Sequence, residues 1–209
     1  MSRDPSPIRA ILFDFGGVIA EEGFANGLRR MAREQQLPVG DAIVDAAMDA
    51  VYDSGYVTGQ GSEADFWRLM RKRCGLHGED AELSAIILDA FRLRPSMIEL
   101  VRKLRSQGYL VGLLSDQTDW LERLDQRDSF FREFDEVFNS YRLGLGKRQP
   151  ELFDRIADRL GLPPASILFV DDNPGNVERA RQRGWQAIRF ENEDQLNREL
   201  SARLEATPS

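Results

Sequence analysis

Ile8-Arg-Ala-Ile-Leu-Phe-Asp14-Phe-Gly-Gly17 decides how this chain is read. From Ile8 to Asp14 the run is too short and too uniformly apolar for a half-exposed helix, so it predicts a buried strand. That strand delivers an acid at its end and breaks at Gly16-Gly17. Working outward, the same form recurs twice. Tyr109–Ser115 (YLVGLLS) ends in a hydroxyl followed by Asp116, and Ile167–Asp171 (ILFVD) ends in Asp171-Asp172. Gln186–Phe190 and Glu136–Asn139 are less apolar versions of the pattern.

Helical spacing separates these runs at Pro95–Gln107, Pro150–Leu160 and Gly175–Arg183, the last entered through Asn173-Pro174 as cap and first helical residue. Buried strands alternating with helices predict an α/β fold with a doubly wound, Rossmann-like parallel sheet. In that class ligands bind outside the carboxyl ends of the strands. Between Glu21 and Arg94 the pattern changes, with no strand and four helical stretches at Phe24–Gln35, Gly40–Tyr52, Ser62–Arg73 and Glu79–Phe91. Ser62-Glu-Ala-Asp65 has the form of a capping box with Asp in place of Glu or Gln. The expected organisation is therefore a core from residues 8–20 and 95–205, with a helical cap from 21–94 set over the strand ends. The first seven and last four residues are expected to fray.

Composition narrows the chemistry. Among 209 residues there is one His and one Cys, and three Lys stand beside 25 Arg. His77 and Cys74 can form neither a Cys/His zinc site nor an intrachain disulfide. A formal charge of −7 carries no electrostatic footprint for nucleic acid or an anionic membrane. No apolar run approaches the ~20 residues of a membrane span, and the start lacks a signal-peptide core. A cytoplasmic protein, monomer or homodimer, is the expectation.

Three strands thus bring Asp14, Ser115 with Asp116, and Asp171 with Asp172 to one edge, and Lys147 lies on the loop Leu143–Pro150. Clustered carboxylates without His or Cys are hard oxygen ligands suited to Mg²⁺. A lysine and a hydroxyl beside such a metal make a site for the phosphoryl group of a small substrate. A carboxylate can also act as the nucleophile.

Four motifs in this order resemble the haloacid dehalogenase-like superfamily: Phe13-Asp-Phe-Gly-Gly-Val-Ile19, Leu113-Leu-Ser115, Lys147 within Gly144–Phe153, and Phe169-Val-Asp-Asp-Asn173. The resemblance implies that Asp14 is the nucleophile, Ser115 binds a phosphoryl oxygen, and Lys147 neutralises nucleophile and phosphate. It implies a Mg²⁺ site from Asp14, the Gly16 carbonyl, Asp171 and Asp172, with Asp116 near the substrate. Within the superfamily the chain is most similar to small sugar-phosphate phosphatases and to the amino-terminal phosphatase domain of epoxide hydrolases. That similarity implies phosphomonoester hydrolysis through an aspartyl-phosphate.

Two departures stand out. The usual second Asp, a general acid and base, is Gly16 here. Glu21 at the cap hinge is the first candidate to replace it and to face substrate, with Glu22 and Asp116 next, and solvated hinge residues are the alternative. In the third motif Gly146 and Arg148 replace an Arg and a Pro, predicting a looser loop in which Arg148 supplies the missing cation. An impaired phosphate- or partner-binding protein lacking the acid/base is the competing reading. Dehalogenation fits poorly with the Asp171-Asp172 pair. Carbon–phosphorus hydrolysis would need Lys72, the one cap lysine.

Overall fold

The computed structural model describes residues 7–37 and 40–205, so most of the ends expected to fray lie outside the described residues. In chain order the elements begin with β1 (Ala10–Phe13), followed by α1 (Gly23–Glu34), α2 (Asp41–Asp53), α3 (Glu63–Cys74) and α4 (Asp80–Ala90). Then come α5 (Pro95–Ser106), β2 (Leu110–Ser115), α6 (Trp120–Asp128), β3 (Glu136–Asn139), α7 (Ser140–Leu143) and α8 (Glu151–Leu160). The chain closes with β4 (Ile167–Asp171), α9 (Pro174–Gln182), β5 (Gln186–Arg189) and α10 (Glu193–Glu205).

All strand pairs are parallel, in the order β3-β2-β1-β4-β5. The order reverses at β1, which makes the crevice beside it the switch point where ligands bind in such sheets. Register does the positioning. Phe13 pairs with both Leu113 and Val170, so Asp14, Ser115 and Asp171 emerge at the same carboxyl edge. Asp14 N–H still donates to the Val170 carbonyl at 2.8 Å, carrying the ladder one residue past β1.

Alternation along β1 splits the core in two. Ala10 and Leu12 face a cluster with Leu114, Phe153, Phe169 and Trp185. Ile11 and Phe13 face a second cluster, with Leu113 and Val170, that continues without a break into Phe24, Phe66 and Trp67 of α1 and α3. Trp120 of α6 is the junction, with ring centroids 5.8–6.3 Å from Tyr56, Phe66, Trp67 and Phe24. The helical segment therefore shares a core with the sheet.

The predicted elements are present within one or two residues at their ends, and the capping box at Ser62 and the Asn173 cap both form. The sequence reading missed α6 and α10, whose mean polarity hides them. In α6 only Trp120, Leu121 and Leu124 are buried, so tertiary packing rather than local propensity makes the helix. No helix among the described residues is long and apolar enough to cross a membrane.

Truncating the junction should loosen both parts together. Trp120→Ala is expected to cost about 3–5 kcal/mol in urea unfolding while the transition stays single. Two resolved transitions would show that the helices and the sheet do not share a core.

Candidate active site

Asp14 sits where β1 ends, buried beneath the helical segment. Its Oδ1 accepts from the Phe15 N–H at 2.7 Å and lies 2.8 Å from Lys147 Nζ. Among the described residues Oδ2 accepts no hydrogen bond. Burial pushes the Asp14 carboxyl above its ordinary range, and the Lys147 ammonium opposes that shift.

Lys147 is itself fully enclosed, its Nζ also 2.7 Å from Asp171 Oδ2. Burial alone would depress the ammonium, but Asp14, Asp171 and Asp116 together hold it protonated above its usual value. Asp171 meets further donors. Its two oxygens also accept from Asn173 N at 2.8 Å and from Asn176 Nδ2 at 3.2 and 3.0 Å. Arg179, one turn along α9 and unnoticed in the sequence, fixes that amide by donating to Asn176 Oδ1 at 2.6 Å. Its Nε also donates to the Lys147 carbonyl at 2.7 Å. The signal available was its i+3 spacing from Asn176.

The third-motif loop is pinned, contrary to the looseness expected. Lys147 N–H donates to Asp116 at 2.8 and 3.0 Å, and Gly146 N–H to Gln149 Oε1 at 2.9 Å. Asp116 in turn accepts the Tyr52 hydroxyl from α2. A Cβ at Gly146 would be a tight fit, meeting Tyr52 Oη at 3.0 Å and Asp116 Oδ2 at 3.2 Å. Arg148, expected to supply the missing cation, lines the same cavity as Lys147. Its guanidinium lies 4.0 Å from the centre of the Tyr52 ring, on the helical segment.

Asp14, Lys147, Asp116, Tyr52 and Arg148 line a cavity of about 450 Å³, together with Ser115, Gln117, Asp172, Arg179 and an apolar wall from Phe24, Met48, Val51 and Phe91. Asp14, Asp171 and Asp172 offer carboxylate oxygens all within 4.8 Å of one another, a donor set of the kind hard divalent cations take. Gly17, at φ +81°, makes room for it, since a Cβ would come within 2.4 Å of Asp172 Oδ2.

Glu21, expected to face substrate, is exposed and does not line this cavity. The hinge pairs Ala20 with Leu93 and ties Glu21 N–H to the Arg92 carbonyl at 2.8 Å. That turns the Glu21 side chain outward, 3.4 Å from Arg94 Nε. Glu22 faces inward and lines the cavity. Burial pushes its carboxyl above the ordinary range, the Ala25 N–H opposing. Sequence reading ranked the two neighbours without knowing which faced in.

Removing the cation should expose what it holds. In metal-free buffer Lys147→Met is expected to lose about 3–5 kcal/mol in urea unfolding, because two buried carboxylates lose their shared partner. Unchanged stability would show that the pair does not depend on it.

Comparison with known proteins agrees with this architecture. A family profile described as haloacid dehalogenase-like hydrolase matches residues 8–184. The chain is 27% identical over 209 residues to D-ribitol-5-phosphate phosphatase of Bacteroides thetaiotaomicron, covering 94% of this chain and 98% of that protein. It is 25% identical over 219 residues to bifunctional epoxide hydrolase 2 of Mus musculus, covering 92% of this chain but 38% of that relative's length. In structure it is similar to a HAD family enzyme of Bacteroides thetaiotaomicron in a magnesium complex, with TM-score 0.70, 20% identity, and 92% and 100% of the two chains covered. An L-2-haloacid dehalogenase follows at TM-score 0.67 and 21% identity, covering 87% and 86%. These two structural likenesses speak for the fold alone. Because the family profile runs from β1 through the end of α9, the chain belongs to the haloacid dehalogenase-like hydrolase family.

Proposed function

We propose that the chain hydrolyses a small phosphomonoester, a sugar or polyol phosphate, with Asp14 as nucleophile. The observation that carries this reading is the placement of Lys147. It is a buried ammonium held between Asp14 and Asp171, lining together with Ser115 a cavity sized for a small ligand. The near full-length similarity to a polyol-phosphate phosphatase supports the substrate class.

In this reading Asp14 Oδ2 attacks phosphorus in line while Phe15 N–H and Lys147 hold Oδ1. The bond from phosphorus to the leaving oxygen breaks with its electron pair on that oxygen, which takes a proton. Water then attacks phosphorus of the aspartyl-phosphate, and orthophosphate departs with the Asp14 carboxylate regenerated. Ser115 and Lys147 engage the phosphoryl oxygens, where charge is concentrated through the reaction. Asp14, Asp171, Asp172 and the Gly16 carbonyl would hold Mg²⁺, which supplies further neutralisation of phosphate charge when bound. Asp171 also fixes Lys147, accepting from its Nζ at 2.7 Å. The segment 21–94 serves as a cap on the core of 8–20 and 95–205, and its Phe24, Met48, Val51 and Tyr52 face the substrate's non-phosphate end.

The purified chain with Mg²⁺ is expected to hydrolyse ribitol 5-phosphate and p-nitrophenyl phosphate, to stop on chelation and to recover on Mg²⁺ addition. Asp14→Asn should fall to background and Ser115→Ala should lose about 10²-fold in kcat. An inactive wild type would contradict the reading and favour a binding role, and an active Asp14→Asn would contradict Asp14 as the nucleophile.

A further inference from the structure

Position 16 has no side chain, yet the space beside it is filled. A Cβ built on Gly16 would meet Glu22 Oε2 at 3.2 Å and the Phe91 ring at 3.6 Å. The carboxylate is held at one oxygen only. Glu22 caps α1, its Oε1 accepting from the Ala25 N–H at 3.3 Å, while Oε2 accepts no hydrogen bond among the described residues. The next residue has to be glycine, because the Phe91 ring lies 2.3 Å from where a Gly23 Cβ would sit. That ring packs against both glycines and wedges the hinge so that Glu22 lines the cavity shared with Asp14, Ser115, Lys147 and Asp172.

We propose that Glu22 is the proton carrier of the reaction, supplying from the helical segment the carboxyl that position 16 lacks. The proposal rests on the phosphatase reading above. In the first half-reaction the Glu22 carboxyl gives its proton to the leaving oxygen as the bond to phosphorus breaks. In the second, the carboxylate takes a proton from the water that attacks phosphorus. The bond between phosphorus and Asp14 breaks with its electron pair returning to Asp14, and Glu22 ends the cycle protonated as it began.

A leaving-group series separates this role from a helix cap alone. Glu22→Gln keeps an oxygen acceptor for the Ala25 N–H and removes the transferable proton. With Mg²⁺ and substituted phenyl phosphates, wild type is expected to show a shallow dependence of log kcat/KM on leaving-group pKa. In Glu22→Gln the loss should be small for p-nitrophenyl phosphate, which needs no proton, and grow to about 10²-fold for phenyl phosphate. Adding Gly16→Asp to that variant is expected to restore the shallow slope, since a carboxyl then stands on the core side of the same space. Parallel slopes for wild type and Glu22→Gln, displaced or coincident, would overturn the proposal. A wild type inactive on the whole series would overturn the phosphatase reading itself, so the two failures are distinguishable.

Discussion

A buried ammonium between two carboxylates is the contact on which the rest of the structure depends. Lys147 reaches Asp14 at 2.8 Å and Asp171 at 2.7 Å with essentially no exposure to solvent. Such an arrangement is tolerated when each charge is paired and well supported by hydrogen bonds. The surrounding residues do that work. Phe15 N–H closes on Asp14, Asn173 and Asn176 close on Asp171, and Arg179 locks both Asn176 and the Lys147 backbone. Parallel register at β1 places the two acids at one edge, and the loop between α7 and α8 delivers the lysine to the gap between them.

Around that contact the molecule trades side chains for space. Gly17 leaves room for Asp172, Gly146 for the Tyr52–Asp116 pair, and Gly16 for the Glu22 carboxylate. Two positions that depart from the common motif pattern, 16 and 146, are thus places where the helical segment reaches into the core. Tyr52 and Glu22 both come from residues 21–94, and both end beside groups on the strand edge. The continuous aromatic packing through Trp120 holds that segment down, so the cavity wall is set by the same core that holds the sheet.

The sheet was legible because each buried strand is a short apolar run ending in a polar group, a pattern that survives without knowledge of partners. Asp14, Ser115, Lys147 and the Asp171-Asp172 pair were legible for a related reason, since strand ends and the loop after β3 fix their place. What one chain of letters hid is orientation. Glu21 and Glu22 are chemically equal neighbours, and only the pairing of Ala20 with Leu93 turns one outward and the other into the cavity. The stacking of Arg148 on Tyr52 was likewise hidden. Helix α6 was hidden because its few buried residues earn their burial from rings on α1 and α3 rather than from a periodic stripe.

Covalent chemistry at Asp14 is the point on which the functional reading turns. It is tested most directly by acid-quenching the enzyme during turnover of a phosphomonoester with Mg²⁺, reducing with borohydride and mapping peptides by mass spectrometry. An acyl phosphate at Asp14 would be reduced to homoserine, so residue 14 should be recovered as homoserine only in samples quenched with substrate present. Unmodified Asp14 during sustained turnover, or a reduction product at another residue, would contradict the assignment of Asp14 as nucleophile.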